Sequence, residues 1–336
     1  MTKKRFPLFP VLLLVVMAGA LYQFGERWLR LLLIYLSQAG WAKQIISSIP
    51  LTRQVAARFV AGETMDDAIT AAQALNSQGM RVTMDLLGEH VANPDEAVAA
   101  RNEIGRLLER IARSDLFDTN VSVKLSQLGM RISEELALEN MRELLGCAQQ
   151  LNNRIRIDME ESEVTDMTLR IYRRLRAEFP NVGIVIQAYL FRSEADVRQL
   201  IAEGAWVRLC KGAYAEPPDV AFPDKADTDA NFVKLTRMML SPEARANGVY
   251  LAVATHDEKM INATLDYVRE QGISPDAFEF QMLYGIRREL QESLVAQGYR
   301  VRVYVPYGTA WYAYFVRRLA ERPANVWFFV SNLVKR

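Results

Sequence analysis

Eight short apolar runs, rich in β-branched residues, recur from about residue 50 onward, and each is followed by a longer stretch with apolar residues at helical spacing. Strands that alternate with helices pair in parallel, and eight such repeats suggest closure into a barrel. Pro94–Ala112 and Glu194–Glu203 are two of the predicted helices. The predicted strands are Arg81–Leu87, Asn120–Leu125, Arg154–Met159, Val182–Ala188, Trp206–Lys211, Val249–Thr255, Phe278–Leu283 and Val301–Pro306.

We therefore predict an α/β fold, a (β/α)8 barrel of the TIM type with N-terminal helices and a membrane-associated apolar segment. An open doubly wound sheet is the alternative, but such sheets usually carry a glycine-rich phosphate loop, and no Gly-x-Gly pair occurs in this chain. No linker rich in Gly, Pro or Ser divides the barrel region. The predicted divisions are residues 1–27 for the apolar segment, 28–80 for the N-terminal helices and 81–336 for the catalytic barrel.

The N-terminal segment is the one place where the composition shifts. Phe6–Phe24 is a run of 19 residues without a charge, and about 20 apolar residues span a bilayer as a helix. A membrane anchor, a cleaved signal peptide and a helix packed on the protein all fit this pattern. We favour membrane attachment, because helices that are apolar on every side belong in cores or membranes. Basic residues within 3–5 and 27–43 flank the run on both sides, so charge does not establish its orientation.

The composition excludes several classes of function. The 41 basic and 40 acidic residues give a net charge of +1, which provides no broad cationic surface for nucleic acid. Two cysteines, Cys147 and Cys210, cannot build a disulfide framework, and two histidines, His90 and His256, nearly exclude a His-rich metal site. The chemistry must therefore come from carboxylates, Lys, Arg, Tyr or a bound cofactor.

Polar side chains cluster where the predicted strands end. The active site of a barrel is built at the carboxyl ends of its strands. A single polar residue there is better interpreted as a loop residue or a salt bridge, but barrel interiors normally hold Val, Ile and Leu, so the whole set indicates a site. The residues at or near these ends include Asp85, Glu89, Lys124, Asp158, Glu160, Glu161, Gln187, Tyr189, Arg208, Lys211, Thr255, His256, Gln281, Tyr284 and Tyr304.

A further helix is predicted over Trp311–Glu321, after the last strand. Its residues Tyr314, Arg317, Arg318 and Glu321 recur at i, i+3, i+4 and i+7 and therefore share one face. This face is either an ordinary solvated charged surface or a carboxylate clamp, since each guanidinium offers a planar fork of donors.

Several segments together resemble the proline dehydrogenase family in order and approximate spacing, over roughly residues 28 to 332. The run Arg208–Tyr214, taken with Tyr304–Gly308 and the adjacent Arg317 and Arg318, is far more specific than a lone short motif. The form that it resembles is the compact, single-domain bacterial one. The matching segments are Asp85–Glu89, Lys124–Gln127, Gln187–Tyr189, Arg208–Tyr214, Phe278–Gly285 and Tyr304–Gly308.

The resemblance implies a flavoenzyme that holds FAD without a Rossmann loop. Such enzymes oxidise L-proline to Δ1-pyrroline-5-carboxylate by hydride transfer to flavin N5 and pass the electrons to a membrane quinone. No side chain is expected to act as a general base, and neither a metal nor a nucleic acid is expected. The implied location is the bacterial cytoplasmic membrane, with the barrel on the cytoplasmic side. A separate pyrroline-5-carboxylate dehydrogenase is expected to carry out the next oxidation.

The resemblance also implies roles for residues around the substrate. Arg317 and Arg318, with Lys124, match the cations that bind the substrate carboxylate. Asp158 matches an acidic group paired with that lysine and with one of the tyrosines. Glu89 matches a gate that pairs with the arginines when substrate is absent, and simple stabilisation of its loop is an equal alternative. The residues that match the walls of the proline site are Tyr214, Leu283, Tyr304 and Tyr314.

For the flavin, the resemblance places Arg208 beside N5, where a positive charge favours the reduced ring. Gln187 matches a hydrogen-bond donor to the ring edge. Gly212 would permit close approach of the backbone to the cofactor. The remaining matches to cofactor contacts are Lys211, Ala213, Thr255, His256 and Glu321.

Two other functions fit parts of the sequence. A different barrel enzyme could use Asp158, Glu160 and Glu161 as metal ligands, with Lys124 as base. A non-catalytic, membrane-tethered scaffold is the second alternative. It gives no role to the polar residues at the strand ends, such as Arg208.

Replacing Arg318 by Met tests the carboxylate clamp. If this guanidinium binds the substrate carboxylate, its loss leaves a buried charge without a partner, and the apparent KM for L-proline rises by about a hundredfold or more. Steady-state kinetics of the purified variant measure the change. An unchanged KM would rule out the clamp.

Overall fold

In the computed structural model, which describes residues 56–88 and 91–321, eight parallel strands form a closed barrel. They are β1 Arg81–Leu86, β2 Thr119–Val123, β3 Ile155–Ile157, β4 Val182–Gln187, β5 Trp206–Cys210, β6 Tyr250–Ala254, β7 Phe278–Leu283 and β8 Val301–Tyr307. Each strand pairs with its neighbours in the chain, and β8 pairs with β1, where Tyr304 lies beside Thr83. This last pairing closes the sheet.

At least one helix follows every strand, and one helix precedes the first. Within the described residues these are α1 Met65–Asn76, α2 Pro94–Ala112, α3 Glu134–Gln150, α4 Thr165–Glu178, α5 Ser193–Ala202, α6 Lys225–Met239, α7 Pro242–Ala246, α8 Glu258–Glu270, α9 Arg288–Ala296 and α10 Trp311–Glu321. The start of α2 shows how local sequence sets these bounds. The Asn93 side chain accepts a hydrogen bond from the N–H of Glu96, and Pro94 occupies the first turn, where its missing N–H is not needed.

Successive residues along a strand have different surroundings. Val82 and Met84 of β1 are fully buried in the apolar core, as expected for the strand face that packs against the surrounding helices. Thr83, between them, hydrogen-bonds Asn120 of β2, and Asp85 bonds Lys124, just beyond β2. The alternate strand residues thus bond one another from strand to strand across the barrel.

Charged residues fill much of this buried polar layer. Arg156, Arg208 and Arg302 are at most 6 % exposed. The guanidinium of Arg302 pairs with the buried Glu279, and the guanidinium carbon of Arg156 lies 3.8 Å from the ring centroid of Trp206. Barrel interiors usually hold branched aliphatic residues. Ion pairs and a cation–π contact take that place here.

The predicted (β/α)8 fold is confirmed, and the doubly wound alternative is wrong because β8 pairs with β1. All eight predicted strands overlap the observed ones. The largest difference in length is at β3, which spans Ile155–Ile157 rather than Arg154–Met159. The helices Pro94–Ala112 and Trp311–Glu321 have the predicted bounds.

The described chain divides into two compact units, one formed by residues 61–309 and the other by residues 56–60 with residues 310–321. In the second unit, the ring centroids of Phe59 and Phe315 are 6.3 Å apart. The apolar run predicted at 6–24 lies outside the described residues. Among the helices that the structure describes, none has the length and apolar character needed to cross a bilayer.

Replacing Gly183 by Ala tests the packing of β4 against β5. A methyl group at this position would lie 2.3 Å from a ring carbon of Trp206 and 2.9 Å from its backbone oxygen. Because the ring is itself stacked on Arg156, we expect the variant to lose about 1–3 kcal/mol of unfolding free energy. Urea denaturation measures this loss.

The control is Gly105→Ala in α2, where the added methyl meets nothing within 4 Å. Alanine is the better helix former by about 1 kcal/mol, so this variant should be as stable as the parent or more so. Equal stability of the two variants would contradict the close approach of Trp206 to Gly183.

Candidate active site

Five strands, β1, β2, β3, β5 and β8, deliver charged and phenolic groups to one cluster toward their carboxyl ends. Lys124 follows β2, and its Nζ donates to both carboxylate oxygens of Asp85 at 3.1 and 3.0 Å. The same Nζ lies 3.7 Å from Oδ2 of Asp158, the residue that follows β3. The hydroxyl of Tyr304 on β8 donates to that Oδ2 at 2.7 Å. Residues far apart in the chain therefore meet because the barrel closes.

Arg208 of β5 completes the cluster and is held on every side. Its Nη1 donates to Oδ1 of Asp158 at 2.6 Å, and its Nη2 donates to the Ser122 hydroxyl at 3.0 Å. Its Nε donates to the side-chain oxygen of Gln281. The guanidinium carbon also lies 5.0 Å from the ring centroid of Tyr304. These partners together fix the orientation of the Arg208 guanidinium.

Burial and neighbouring charges act differently on the two carboxyl groups. Burial raises the pKa of Asp85 above its ordinary value, and the adjacent Lys124 only partly offsets this effect. Burial would also raise the pKa of Asp158, but the charges of Arg208 and Lys124 outweigh it and lower that pKa. The pKa shift of Asp158 therefore favours its ionised form.

Tyr304 is the protonated partner of this carboxylate. Burial, reinforced by the charge of Asp158, raises the pKa of its phenol well above the ordinary value. The hydroxyl therefore remains protonated, and able to donate a hydrogen bond, at any physiological pH.

Next to the cluster, the ends of β4 and β5 carry features that fit the edge of a flat ring system. Gln187 is 3 % exposed, and its side-chain oxygen has no hydrogen-bond partner within the described residues. Gly212 has φ +113°, and a Cβ on it would lie 2.3 Å from the Tyr189 ring. A buried acceptor without a donor costs free energy. An N–H group of a flavin ring would satisfy it, so Gln187 fits the cofactor that the resemblance implies.

Three further residues matched to cofactor contacts lie near the ends of β5 and β6 and have partners there. Lys211 Nζ pairs with Asp229 and, at 2.7 Å, with Asp257. The His256 Nε2 accepts a hydrogen bond from the N–H of Leu283 at 2.9 Å. This bond links a residue matched to the cofactor with one matched to the substrate site. The hydroxyl of Thr255 accepts from the N–H of Asp257 at 3.1 Å.

The clamp residues lie in the unit formed by residues 56–60 and 310–321. There the guanidinium carbon of Arg318 lies 5.0 Å from the ring centroid of the buried Tyr314. The side chains of Arg317 and Glu321, and all of Glu89, lie outside the described part of the structure. Their roles in the clamp, the cofactor site and the gate stay predictions.

Two further residues matched to the site, Ala213 and Tyr214, lie in the loop after β5, the first exposed and the second half-buried.

The sequence placed Asp85 and Gln281 among the polar strand-end residues without an individual role, and it did not point to Ser122. Asp85 is only 1 % exposed and is a direct partner of Lys124. The signal that could have found Asp85 is its position in β1 in phase with Thr83, on the polar side of an otherwise apolar strand. Ser122 and Gln281 carry a similar signal, since they lie in phase with the polar Asn120 and Glu279, but their shared contact with Arg208 of another strand is visible only in the structure.

The three carboxylates that could bind a metal ion in the alternative barrel enzyme each have different partners. Asp158 is held by Arg208 and Tyr304, whereas Glu160 accepts hydrogen bonds from the N–H and hydroxyl of Ser126. Glu161 pairs with Arg131. In the part of the chain that the structure describes, no group of three or more candidate ligands could hold a metal ion.

A closed (β/α)8 barrel with an ion-paired cluster at the carboxyl ends of its strands is the architecture of a barrel enzyme. The family model described as proline dehydrogenase matches residues 68–330. The chain therefore belongs to the proline dehydrogenase family.

Relatives of known name agree with this assignment. The chain is 45% identical to proline dehydrogenase 1 of Bacillus subtilis over 285 residues, which are 85% of this chain and 92% of that protein. It is 44% identical to the proline dehydrogenase of Deinococcus radiodurans over 286 residues, 84% of this chain and 90% of that one.

Among solved structures, proline utilization A from Bdellovibrio bacteriovorus, inactivated by N-propargylglycine, matches with a TM-score of 0.75 and 30% identity. The match covers 80% of this chain and 33% of that one, so the chain spans about a third of that larger protein.

The ion-paired Asp257 gives the site a pH-dependent contribution to stability. Burial opposes its ionisation, but hydrogen bonds from Lys211 and the N–H of Lys259 outweigh it and lower its pKa to about 2. Because the folded pKa lies below the unfolded one, this group stabilises the fold above about pH 4, and the contribution is lost as the pH falls toward 2. We expect Asp257→Asn to lose on the order of 2 kcal/mol at pH 7, with the difference shrinking below pH 4.

Urea denaturation of the parent and variant at several pH values between 7 and 3 measures this difference. The control is Asp266→Asn, on an exposed part of α8, where Asp266 pairs with Arg269. Exposed pairs contribute little, so the control should follow the parent at every pH. A pH-independent effect of Asp257→Asn would show that the ion pair is not its cause.

Proposed function

We propose that this protein oxidises L-proline to Δ1-pyrroline-5-carboxylate, the first step of proline catabolism, with FAD as cofactor and a membrane quinone as electron acceptor. Two facts together carry the proposal. This chain belongs to the proline dehydrogenase family, and its barrel has a cluster of charged and phenolic groups toward the carboxyl ends of the strands, namely Lys124, Asp158, Arg208 and Tyr304. These groups can orient an amino acid beside a flavin ring.

The charge balance of the cluster bears on how a substrate carboxylate is bound. Lys124 is already flanked by Asp85 and Asp158, so it offers little net positive charge to an incoming anion. A second source of positive charge is therefore needed for an amino-acid carboxylate. Arg317 and Arg318 can supply two planar guanidinium forks for this purpose. In this proposal the arginines bind the carboxylate and Lys124 orients it.

Bound FAD would supply the hydride acceptor, which no amino-acid side chain provides. The residues proposed to hold it are Arg208 beside its ring, Gln187 at the ring edge, and Lys211 and Gly212 along the backbone that follows β5. Their support is the unpartnered, buried side-chain oxygen of Gln187. Thr255, His256, Ala213 and Glu321 are the further proposed contacts.

The chain's own groups then position the substrate rather than remove its proton. Tyr304 stays protonated and Asp158 stays ionised, so neither is poised to exchange a proton near neutral pH. We infer that L-proline reacts as its neutral amine, with the ammonium proton passing to solvent or a bound water. The tyrosine ring, which lies over Arg208, would form one wall of the pocket and help to exclude water.

We also propose that the apolar run at 6–24 attaches the protein to the bacterial cytoplasmic membrane, with the barrel on the cytoplasmic side. There the reduced cofactor would reach its quinone, and the product would reach a separate pyrroline-5-carboxylate dehydrogenase. The support is the uncharged length of the run. Co-sedimentation of the full chain with membranes, compared with a chain that begins at residue 28, tests the attachment.

Anaerobic titration with L-proline tests the central proposal. The purified protein should show a flavin absorbance spectrum that bleaches with L-proline and not with D-proline. Subsequent addition of a water-soluble quinone analogue should restore the absorbance. Flavin that fails to bleach with L-proline but bleaches with another cyclic amino acid would change the substrate. A protein that contains no flavin and cannot be reconstituted with FAD would contradict the proposal.

A further inference from the structure

A line of buried hydrogen bonds runs from Arg208 through the barrel interior, away from Lys124 and Asp158. The Nε of Arg208 donates to the side-chain oxygen of Gln281, and the amide nitrogen of Gln281 donates to Oε1 of Glu279. The Nε of Arg302 donates to that same Oε1 at 2.9 Å. All four side chains are at most 6 % exposed. Water therefore has little access to replace these partners.

The chemistry of the two neighbours determines which way the Gln281 amide points. A guanidinium can only donate hydrogen bonds, and an ionised carboxylate can only accept them. Arg208 must therefore face the amide oxygen, and Glu279 must face the amide nitrogen. Only this orientation satisfies both contacts, so the charge of Glu279 is what keeps an acceptor turned toward Arg208.

Glu279 is itself fixed in place and ionised. Burial opposes its ionisation, but the charge of Arg302 outweighs burial and lowers the pKa of Glu279. Arg302 is anchored by donating to the backbone oxygens of Val82 and Asp118, each at 2.8 Å, and to the Asp118 carboxylate at 2.7 Å. The far end of the line is thus tied to the backbone at the amino-terminal ends of β1 and β2.

We propose that Glu279 and Gln281 are positioning residues that hold the Arg208 guanidinium in its catalytic orientation. This inference rests on the proposed function, in which Arg208 lies beside the flavin ring. Glu279 acts through Gln281 rather than on the substrate. Arg208 has two other partners, Asp158 and Ser122, so this relay of Glu279 and Gln281 sets its orientation rather than its presence.

Loss of the relay has a specific consequence. In Glu279→Gln, an uncharged amide replaces the carboxylate. Its oxygen accepts more weakly from Gln281 and Arg302, and its NH2 group adds two donors beside the Tyr250 hydroxyl. Turning Gln281 over would place its NH2 group against Arg208. Because a well-placed positive charge favours the reduced flavin, displacement of Arg208 should lower the midpoint potential of the bound cofactor.

The experiment compares Glu279→Gln, Gln281→Met and the double variant with the parent holoenzyme. We expect each single variant to slow flavin reduction by L-proline about tenfold, the effect of one lost hydrogen bond to a charged group. The midpoint potential should fall in both, while the Kd for L-proline stays near the parent value. Because the two residues act in series, the double variant should be no slower than Gln281→Met alone.

Tyr250→Phe is the matched control. Its hydroxyl lies 3.5 Å from the other oxygen of Glu279, and its removal leaves the carboxylate and Gln281 in place. This variant should keep the midpoint potential and the flavin reduction rate of the parent.

The double swap Glu279→Gln with Gln281→Glu preserves the net charge and again gives each donor an acceptor. Flavin reduction by L-proline should therefore be faster in the swapped enzyme than in Glu279→Gln. Gln281→Met and the swap still test the relay if Glu279→Gln fails to fold.

Three results would contradict the positioning role or the function on which it rests. Single variants that lose thermal stability but keep the parent potential and reduction rate would make the relay purely structural and overturn the proposal. Additive losses in the double variant would also overturn it, because they show independent action. Failure of the parent enzyme itself to bleach with L-proline would instead contradict the proposed function.

Discussion

The ion pair between Asp158 and Arg208 is the interaction on which the rest of the site depends. The carboxylate of Asp158 accepts from Arg208 through one oxygen and from Tyr304 through the other, and Lys124 lies beside it. These residues come from β3, β5, β8 and the end of β2, so a single buried carboxylate connects half of the barrel. Its removal would leave a buried guanidinium with an unbalanced charge, which costs far more than an exposed pair.

This dependence accounts for the charged interior of the barrel. Buried ion pairs are a poor source of stability, because desolvation offsets most of their attraction. A core of Val, Ile and Leu would hold the fold at least as well. Charges such as Arg208 and Glu279 instead restrict side chains to one orientation, which apolar contacts do not do. The interior of this barrel is therefore better suited to orienting groups at its carboxyl end than to maximising stability.

The balance of charge divides the work between two parts of the chain. Within the barrel, Asp85 and Asp158 offset Lys124 and Arg208, so the cluster is close to neutral. Any net attraction for an anionic amino acid must then come from elsewhere. In the proposed function, Arg317 and Arg318 are the candidates for this positive charge.

The sequence alone determined the fold, because the spacing of its apolar residues identifies eight strands that alternate with helices. The bounds of a helix such as Pro94–Ala112 follow from its local capping residues. The sequence also indicated Lys124, Asp158 and Arg208, through the whole set of polar residues at the strand ends and through the family resemblance. The tertiary structure alone decided which charges pair. Asp85 and Gln281 have no individual role in the sequence. They matter because the pairing of β1 with β2, and the arrangement of β5 and β7 in one barrel, bring them within hydrogen-bond distance of Lys124 and Arg208. Pairing between strands depends on register and on the direction of each side chain, and no local pattern encodes these.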